Sequence, residues 1–463
     1  MPALRDHWRS RFGFVMAAAG SAIGLGNLWK FPYITWDNRG GAFVLVYLVC
    51  IAAVGLPIMM AEVLIGRMTQ KSPVGALKQA AGPVWALVGA LGVFTGFVIL
   101  SYYNVIAGWS LRNFVRCTQW SIGDFPAGVS VADGFTDFLQ SPPRQMLVTV
   151  LFLGATMLVV SRGVGRGIEQ AARFLMPALF GILLLLLCSA LTMDGAGRAI
   201  GFIFTPRFDE LRWHGVLEAL GHSFFTLSLG MGAMITYGSY MKRNDSVVSA
   251  SVLVVALDTL IAVTATVIMF SVIFTVPGME QQVETAGTVG MLFVTLPEMF
   301  YTYVPLGRVL APLFYVLVAF AALTSTISLL EVVVAYFIDE RGMSRRAATA
   351  FCGSCILALS LLCSLSLGAW DVLSGFSLLA GKRGLLANLD HLAANWLLPI
   401  GGFFLTLVAG WVLTAETTRP ELMDAATPRW FRYGTWRLFI RWVAPLAVLA
   451  IILTVIFLGE DFS

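Results

Sequence analysis

Eleven largely apolar runs, each about the ~20 residues a bilayer-crossing helix needs, follow one another through the chain. Their approximate limits are 11–37, 41–66, 84–114, 146–162, 168–191, 214–241, 247–276, 306–338, 347–369, 387–415 and 436–459. No other feature narrows the fold so far. Hydrocarbon offers backbone N–H and C=O groups no water, so each must be satisfied within the protein, and a helix does this inside one segment. Composition agrees, with 58% hydrophobic and 12% charged residues, against about a quarter charged in a soluble domain. The expected class is an all-α, polytopic membrane protein. The N-terminus, MPALRDHWRSRFG, is basic and then apolar. Its apolar run is long, glycine-broken and lacks a small-residue cleavage site, so the first span is expected to be retained.

Basic residues set the expected orientation. Arg5, Arg9 and Arg11 precede the first span, and Arg67, Lys71 and Lys78 follow the second. Lys242 and Arg243, then Arg341, Arg345 and Arg346, then Arg419, Arg429, Arg432 and Arg437 continue the alternation. Every second loop is basic, which places those loops and the N-terminus in the cytoplasm. An odd span number puts the acidic tail GEDFS outside. Arg112, Arg116 and Arg144 run against the pattern without reversing it. The longest connections, roughly 115–145, 192–213 and 277–305, are expected outside, and no soluble domain is apparent.

Several function classes drop out. There is no GxxxxGK[ST] loop for an ATP-driven pump, and no HExxH or GxSxG for an intramembrane enzyme. Cys50, Cys117, Cys188, Cys352, Cys355 and Cys363 are scattered through apolar runs, which argues against a disulfide framework. The pair Cys352 and Cys355 lacks the further ligands of a metal set. Nothing in the charge pattern suggests a nucleic-acid partner.

Two spans carry poor helix formers at mid-membrane. Gly20–Pro32 reads GSAIGLGNLWKFP, and Thr226–Ala233 reads TLSLGMGA. Glycines in membrane helices often only permit close packing. Two interruptions five spans apart, flanked by Asn27 and Thr226, point instead to a transporter site between inverted halves. Freed N–H groups at a half-helix start suit an anion, and freed carbonyls suit a small cation.

Other polar residues sit in apolar surroundings. Asp258 lies in SVLVVALDTLIAVTATVIMF. An intramembrane carboxylate marks a functional site or a buried ion pair, and no basic neighbour in sequence supports the pair. Thr324 and Ser325 in AALTSTISLLE put adjacent hydroxyls on a helix, where they either serve a ligand or bond back to their own carbonyls.

Gly20–Pro32, together with Arg5, Trp8, Gly40–Phe43 (GGAF) and Phe224–Gly230 (FFTLSLG), resembles the neurotransmitter:sodium symporter family. The likeness covers nearly the whole chain. It looks nearest to bacterial members with the leucine-transporter fold, including the multi-hydrophobic amino acid transporters. The resemblance implies two inverted five-helix repeats with unwound helices 1 and 6, plus one further helix. The corresponding segments are 1–11, a cytoplasmic lead; 12–191, the first repeat; 192–415, the second repeat with its preceding outer loop; and 416–463, a connecting loop and helix 11. Relatives often have a twelfth span.

The resemblance also implies roles. One sodium site would use carbonyls of Gly20, Ile23 and Ala321 with the hydroxyls of Thr324 and Ser325. The other would use Ala22, Asn27, Thr226 and Asp258 with the substrate carboxylate, which couples ion to substrate directly. Amides of Leu25 and Gly26 and the Tyr103 hydroxyl would hold an α-carboxylate. Carbonyls of Phe225, Thr226 and Ser228 would take the ammonium. Ala22, Gly24, Ile99, Tyr103, Phe225, Ser228, Met231, Ser325 and Leu329 would bound the rest. No acidic side chain is expected at the apolar end, which favours a hydrophobic amino acid. Pliable Met231 suggests room for large side chains, with tryptophan and leucine the ones to test.

Gates follow the same resemblance. Lys30 and Asp390 would form the outer pair above a lid of Tyr103 and Phe225. Lysine here replaces the arginine of the leucine transporter and lacks its planar fork. Arg5 and Asp339, beside Trp8 and Tyr240, would form the inner gate. Many relatives carry asparagine at the position of Asp258, and some chloride-independent ones carry a carboxylate one turn on, where this chain has Ala262. Asp258 is therefore expected to supply the charge that chloride supplies elsewhere. His222 stands where relatives often have glutamine. Both are candidates for proton coupling.

The expected activity is sodium-coupled symport of a hydrophobic or aromatic L-amino acid, chloride-independent, in a bacterial inner membrane. The protein is expected not to be an enzyme, and to be a monomer or weak dimer whose partners are substrate, two sodium ions and membrane lipid. The alternatives are a symporter for a non-amino-acid osmolyte and a non-transporting sensor.

Overall fold

The structure, a computed structural model, describes residues 6–125, 130–281, 289–378, 381–459 and 461. Among these the regular structure is entirely helical. Among the described residues nine helices are long and apolar enough to cross a membrane, and ten if one bent pair counts as a single span. That pair is α1, Arg11–Ala22, and α2, Gly26–Asp37, which meet at 54°. The segment expected as the sixth span is α8, Trp213–Thr226, and α9, Ala233–Gly238, each too short to cross alone. Both interruptions expected from sequence are present.

The other long helices, with the short α7, are α3, Gly41–Thr69; α4, Pro83–Ile122; α5, Pro142–Ser161; α6, Val164–Leu191; α7, Ala196–Phe204; α10, Val247–Thr275; α11, Gly307–Arg341; α12, Arg345–Leu365; α13, Leu385–Val412; and α14, Tyr433–Leu458. The most extensive packing is α4 on α11, and α5 and α12 close the same group. Around the centre, α1 packs on α6, α10 and α11, while α9 packs on α3. Helices α13 and α14 lean on each other at one edge. The interrupted segments are thus surrounded by continuous helices, the setting in which non-helical backbone survives at membrane depth.

Some boundaries move. The span expected at 84–114 continues to Ile122, and the one expected at 306–338 continues to Arg341. A helix loses nothing by running past the bilayer edge, because its backbone bonds are already internal. Two expected loops hold short helices, Val131–Leu139 and Leu296–Thr302. Arg112, discordant in the topology pattern, has a local role: its guanidinium lies 5.4 Å from the Phe135 ring and 5.2 Å from Phe138. It docks the 131–139 helix onto α4 by cation–π attraction.

Helix α1 begins at Ser10, whose hydroxyl accepts from Gly13 N at 3.0 Å and caps the first turn. It ends where Ile23 turns extended, at φ −76° and ψ 102°. The second gap runs from Leu227 to Gly232 and is more contorted, with Ser228 at φ 54°, Gly230 at 79° and Gly232 at 76°. At Gly230 a Cβ would stand 2.6 Å from the Leu398 carbonyl oxygen, so both the conformation and the close approach require glycine.

Candidate functional site

Between the two gaps lies a cavity of about 40 Å³. Every residue expected at the amino-acid site lines it: Ala22, Gly24, Leu25, Gly26 and Thr226 on one side, Ile99, Tyr103, Phe225, Ser228, Met231, Ser325 and Leu329 on the others. Ser21 and Asn27 complete the wall. Its lining carries no charged side chain. The freed amides at the first gap are not left bare. Leu25 N donates to the Tyr103 hydroxyl at 3.1 Å, and Gly24 N to Asn27 Oδ1 at 3.0 Å. At the second gap the Ser228 hydroxyl donates to the Ser21 carbonyl at 2.8 Å, tying the interruptions together.

One polar cluster adjoins the cavity. Asn27 Nδ2 donates to Asp258 Oδ1 at 2.8 Å and to Thr226 Oγ1 at 3.1 Å. Thr226 Oγ1 lies 3.1 and 3.2 Å from the two Asp258 oxygens, and the Tyr47 hydroxyl lies 3.5 Å from Oδ2. All four residues are buried. Asp258 is therefore held by amide and hydroxyl donors, not by a cation: among the described residues no Lys or Arg pairs with it. The ion-pair reading of Asp258 falls away. His222 stands beside the cluster, its ring 5.5 Å from Phe31 and 5.7 Å from Tyr47. Neither ring nitrogen has a hydrogen-bond partner among the described residues.

A second cluster forms where α1 ends against α11. Ser325 Oγ lies 3.4 Å from the carbonyl oxygens of both Gly20 and Ile23, and 3.2 Å from that of Ala321. Thr324 Oγ1 lies 3.0 Å from the Ala321 oxygen. The five residues expected at this second sodium site are brought together. One hydroxyl has one proton and cannot satisfy several acceptors. A group of oxygens short of donors has the chemistry of a hard-cation site.

Phe225 also bounds a second, larger cavity of about 290 Å³, on the side where Lys30 lies. Lys30 Nζ stands 5.3 Å from the Phe225 ring centre. Asp390, Glu218 and Asp461 all lie within electrostatic reach of Lys30, and Glu218 and Asp461 line this cavity with it. Phe225 is thus the partition between the two cavities.

The opposite side is packed. Trp8 N donates to the Tyr240 carbonyl at 3.1 Å and its indole to the Tyr237 carbonyl at 2.9 Å. The Tyr240 hydroxyl donates to Glu331 at 2.6 Å, and Arg345 grips the same carboxylate at 2.7 and 3.0 Å. Asp339 accepts from Ser72 N at 2.6 Å. Arg5 lies outside the described residues, so the expected Arg5–Asp339 pair is not described. Sequence reasoning missed Tyr47, Glu62, Glu331 and Arg345. Glu62 is fully buried on α3 and accepts from Gly230 N at 2.7 Å, holding the second gap. Glu331 closes the very stretch that flagged Thr324 and Ser325, and an acid so deep in an apolar run was itself the signal.

Two interrupted helices facing each other across a small, mostly apolar cavity with a polar cluster at its wall, inside a bundle of helices long and apolar enough to cross a membrane, are the architecture of a secondary transporter. The chain belongs to the sodium:neurotransmitter symporter family, whose model matches residues 5–123 and 135–460. It is similar to MhsT, solved in complex with L-phenylalanine, at 37% identity and a TM-score of 0.87 over 97% of this chain and 100% of that one. It is 33% identical to the sodium-dependent transporter YhdH of Bacillus subtilis, over 97% of each chain. A sodium-dependent transporter of Methanocaldococcus jannaschii is 29% identical over 97% of this chain and 90% of its own length. The protein is thus a multi-pass membrane transporter with the leucine-transporter fold, moving a small molecule by sodium-coupled symport.

Proposed function

We propose that this transporter carries a hydrophobic or aromatic L-amino acid inward across a bacterial inner membrane, with two sodium ions and without chloride, by alternating access. The observation that carries the reading is the Asn27–Thr226–Asp258 cluster at the cavity wall. A carboxylate there supplies a fixed negative charge beside a sodium ion, where an asparagine would need an added anion. Likeness to MhsT, solved with L-phenylalanine, supports an amino acid. Ile99, Met231 and Leu329 on the cavity wall support a hydrophobic side chain.

In this reading sodium at Ala22, Asn27, Thr226 and Asp258 touches the substrate carboxylate, which Leu25, Gly26 and Tyr103 also hold. The second sodium joins Gly20, Ile23 and Ala321 on one helix to Thr324 and Ser325 on another. It thereby fixes α1 against α11, and its release frees α1 to move. Ligand binding shifts the population between states only through such differential contacts. The Lys30 side is the outer face, the Trp8 side the cytoplasmic face, and α8 with α9 is the sixth of eleven spans. Residues 12–191 and 192–415 form the two repeats.

The test is uptake of labelled amino acids into proteoliposomes under a sodium gradient, with chloride replaced by gluconate. Wild-type uptake is expected to be unchanged by the replacement. In Asp258→Asn, uptake is expected to fall at least ~100-fold without chloride, the scale of losing a close charge contact to an ion, and to recover in part with it. Chloride-dependent uptake by the wild type refutes the fixed-charge role. Sodium-driven uptake of an osmolyte and of no amino acid refutes the substrate class.

A further inference from the structure

The Lys30 side carries a feature that the transport pathway does not use. Where α2 turns into α3, a cleft of about 560 Å³ is lined by Arg39, Arg198 and Arg207, with Glu210 and Glu280 as its acids and Trp36, Phe202 and Phe274 as an aromatic floor. Arg198 is forked onto Glu280 at 2.6 and 3.0 Å and lies 4.2 Å over the Phe274 ring. Arg207 pairs with Glu210 at 2.9 Å. Arg39 is exposed, and no described carboxylate pairs with it. Its backbone is left-handed, at φ 61°, where glycine would sit without strain. Among the described residues that line the cleft, three guanidiniums stand against two carboxylates.

Adjoining it lies an apolar groove of about 630 Å³, lined by Leu45, Leu48, Val49 and Ala52 of α3 with Phe208 and Phe439. Arg207 and Phe208 are consecutive, so the chain that supplies the cleft also supplies the groove. The two are fixed in register because the start of α3 packs on the backbone just before Arg207: a Cβ on Gly41 would stand 2.7 Å from the Thr205 carbonyl oxygen. From Leu45 to Ala53 the groove runs along α3 for roughly 12 Å, at 1.5 Å per helical residue. A basic head site beside a shallow apolar groove along a membrane-length helix has the shape and charge order of a phospholipid.

We propose that the Arg39–Arg198–Arg207 cleft and the α3 groove together bind one anionic phospholipid, phosphate in the cleft and acyl chain in the groove. Arg39 makes the free charged contact. Arg198 and Arg207 are held in place by their own carboxylates and offer their remaining N–H groups. The lipid would brace the α2–α3 turn against the 198–210 segment, at the rim of the helix that carries Lys30.

The test uses delipidated full-length transporter in detergent, with bound lipid counted by native mass spectrometry and thermal stability followed in parallel. Phosphatidylglycerol, phosphatidylcholine and free glycerol 3-phosphate are compared on the wild type, Arg39→Gly, Arg39→Lys and Val49→Trp. Glycine suits the backbone at position 39, and Val49 faces outward at 66% exposure, so these variants should fold. Phosphatidylglycerol is expected to bind and raise the melting temperature. Its affinity should drop about fivefold in Arg39→Gly, the ratio for one basic residue at an anionic lipid surface, recover in Arg39→Lys, and drop again in Val49→Trp. Undiminished binding to Arg39→Gly overturns the proposal. So does equal stabilisation by phosphatidylcholine, or by glycerol 3-phosphate, which lacks a chain for the groove.

Discussion

The two sides of the central cavity are built differently. Toward Trp8 the protein is closed by a network in which each group has a partner: indole to carbonyl, Tyr240 to Glu331, Glu331 to Arg345. Toward Lys30 the Phe225 ring separates the cavity from a larger space whose acids hold partners of their own, Glu218 with Asn38 and Asp461 with Lys382, His391 and Asn395. One side is sealed by buried, mutually satisfied polar groups, which separate only together. On the other, the wall between the two cavities is one apolar ring. Opening toward Trp8 must therefore break that network together.

The largest expected effect tests the sealed side. Glu331→Ala removes the carboxylate that Arg345 and Tyr240 share, leaving Arg345 the longer contacts to Asp6 and the Val160 carbonyl, and breaking a buried pair in this way costs about 3–5 kcal/mol. The melting temperature should fall, and a cysteine placed beside Trp8 should become reactive toward a membrane-impermeant thiol reagent. An unchanged reactivity would mean that the network does not hold this side. Phe225→Ala comes next and merges the two cavities. It removes most of one buried aromatic contact, so substrate dissociation should speed up by about tenfold, matching about 1.4 kcal/mol of the 3–5 kcal/mol that core aromatic truncations reach. Stopped-flow release with sodium present would measure it, and no change would place the barrier elsewhere. Lys30→Arg should do least. Its planar fork suits bidentate contact with Asp390, and a gain of at most about 1 kcal/mol at an incompletely buried pair should slow release by under fivefold. Faster release would remove Asp390 from the gate.

Much of this arrangement was legible beforehand, for identifiable reasons. Glycine clusters inside apolar runs mark backbone that cannot stay helical, so both gaps could be placed to within a few residues. Asp258 stood out because a carboxylate in twenty apolar residues has no ordinary use. Tyr47 did not stand out: a tyrosine in a membrane helix is unremarkable until its hydroxyl is seen 3.5 Å from that carboxylate. Glu62 and Arg345 looked like residues near span ends. Only the packing of α3 on α9 and of α12 beside α11 turns them inward. The cleft at Arg39 was equally hidden, since its arginines come from segments about 160 residues apart.

The sequence alone therefore determined the bundle, the two interruptions and the residue types that surround them. Those follow from local rules: hydrocarbon demands internally bonded helices, and glycine releases that demand where it is placed. Tertiary structure decided which polar groups face each other, which side is sealed by a network, and which by a single ring. That information lies in helix rotation and crossing, which apolar periodicity leaves open when every face of a span is apolar. In lipid such faces differ little in transfer free energy, so packing and the pairing of buried polar groups select among them.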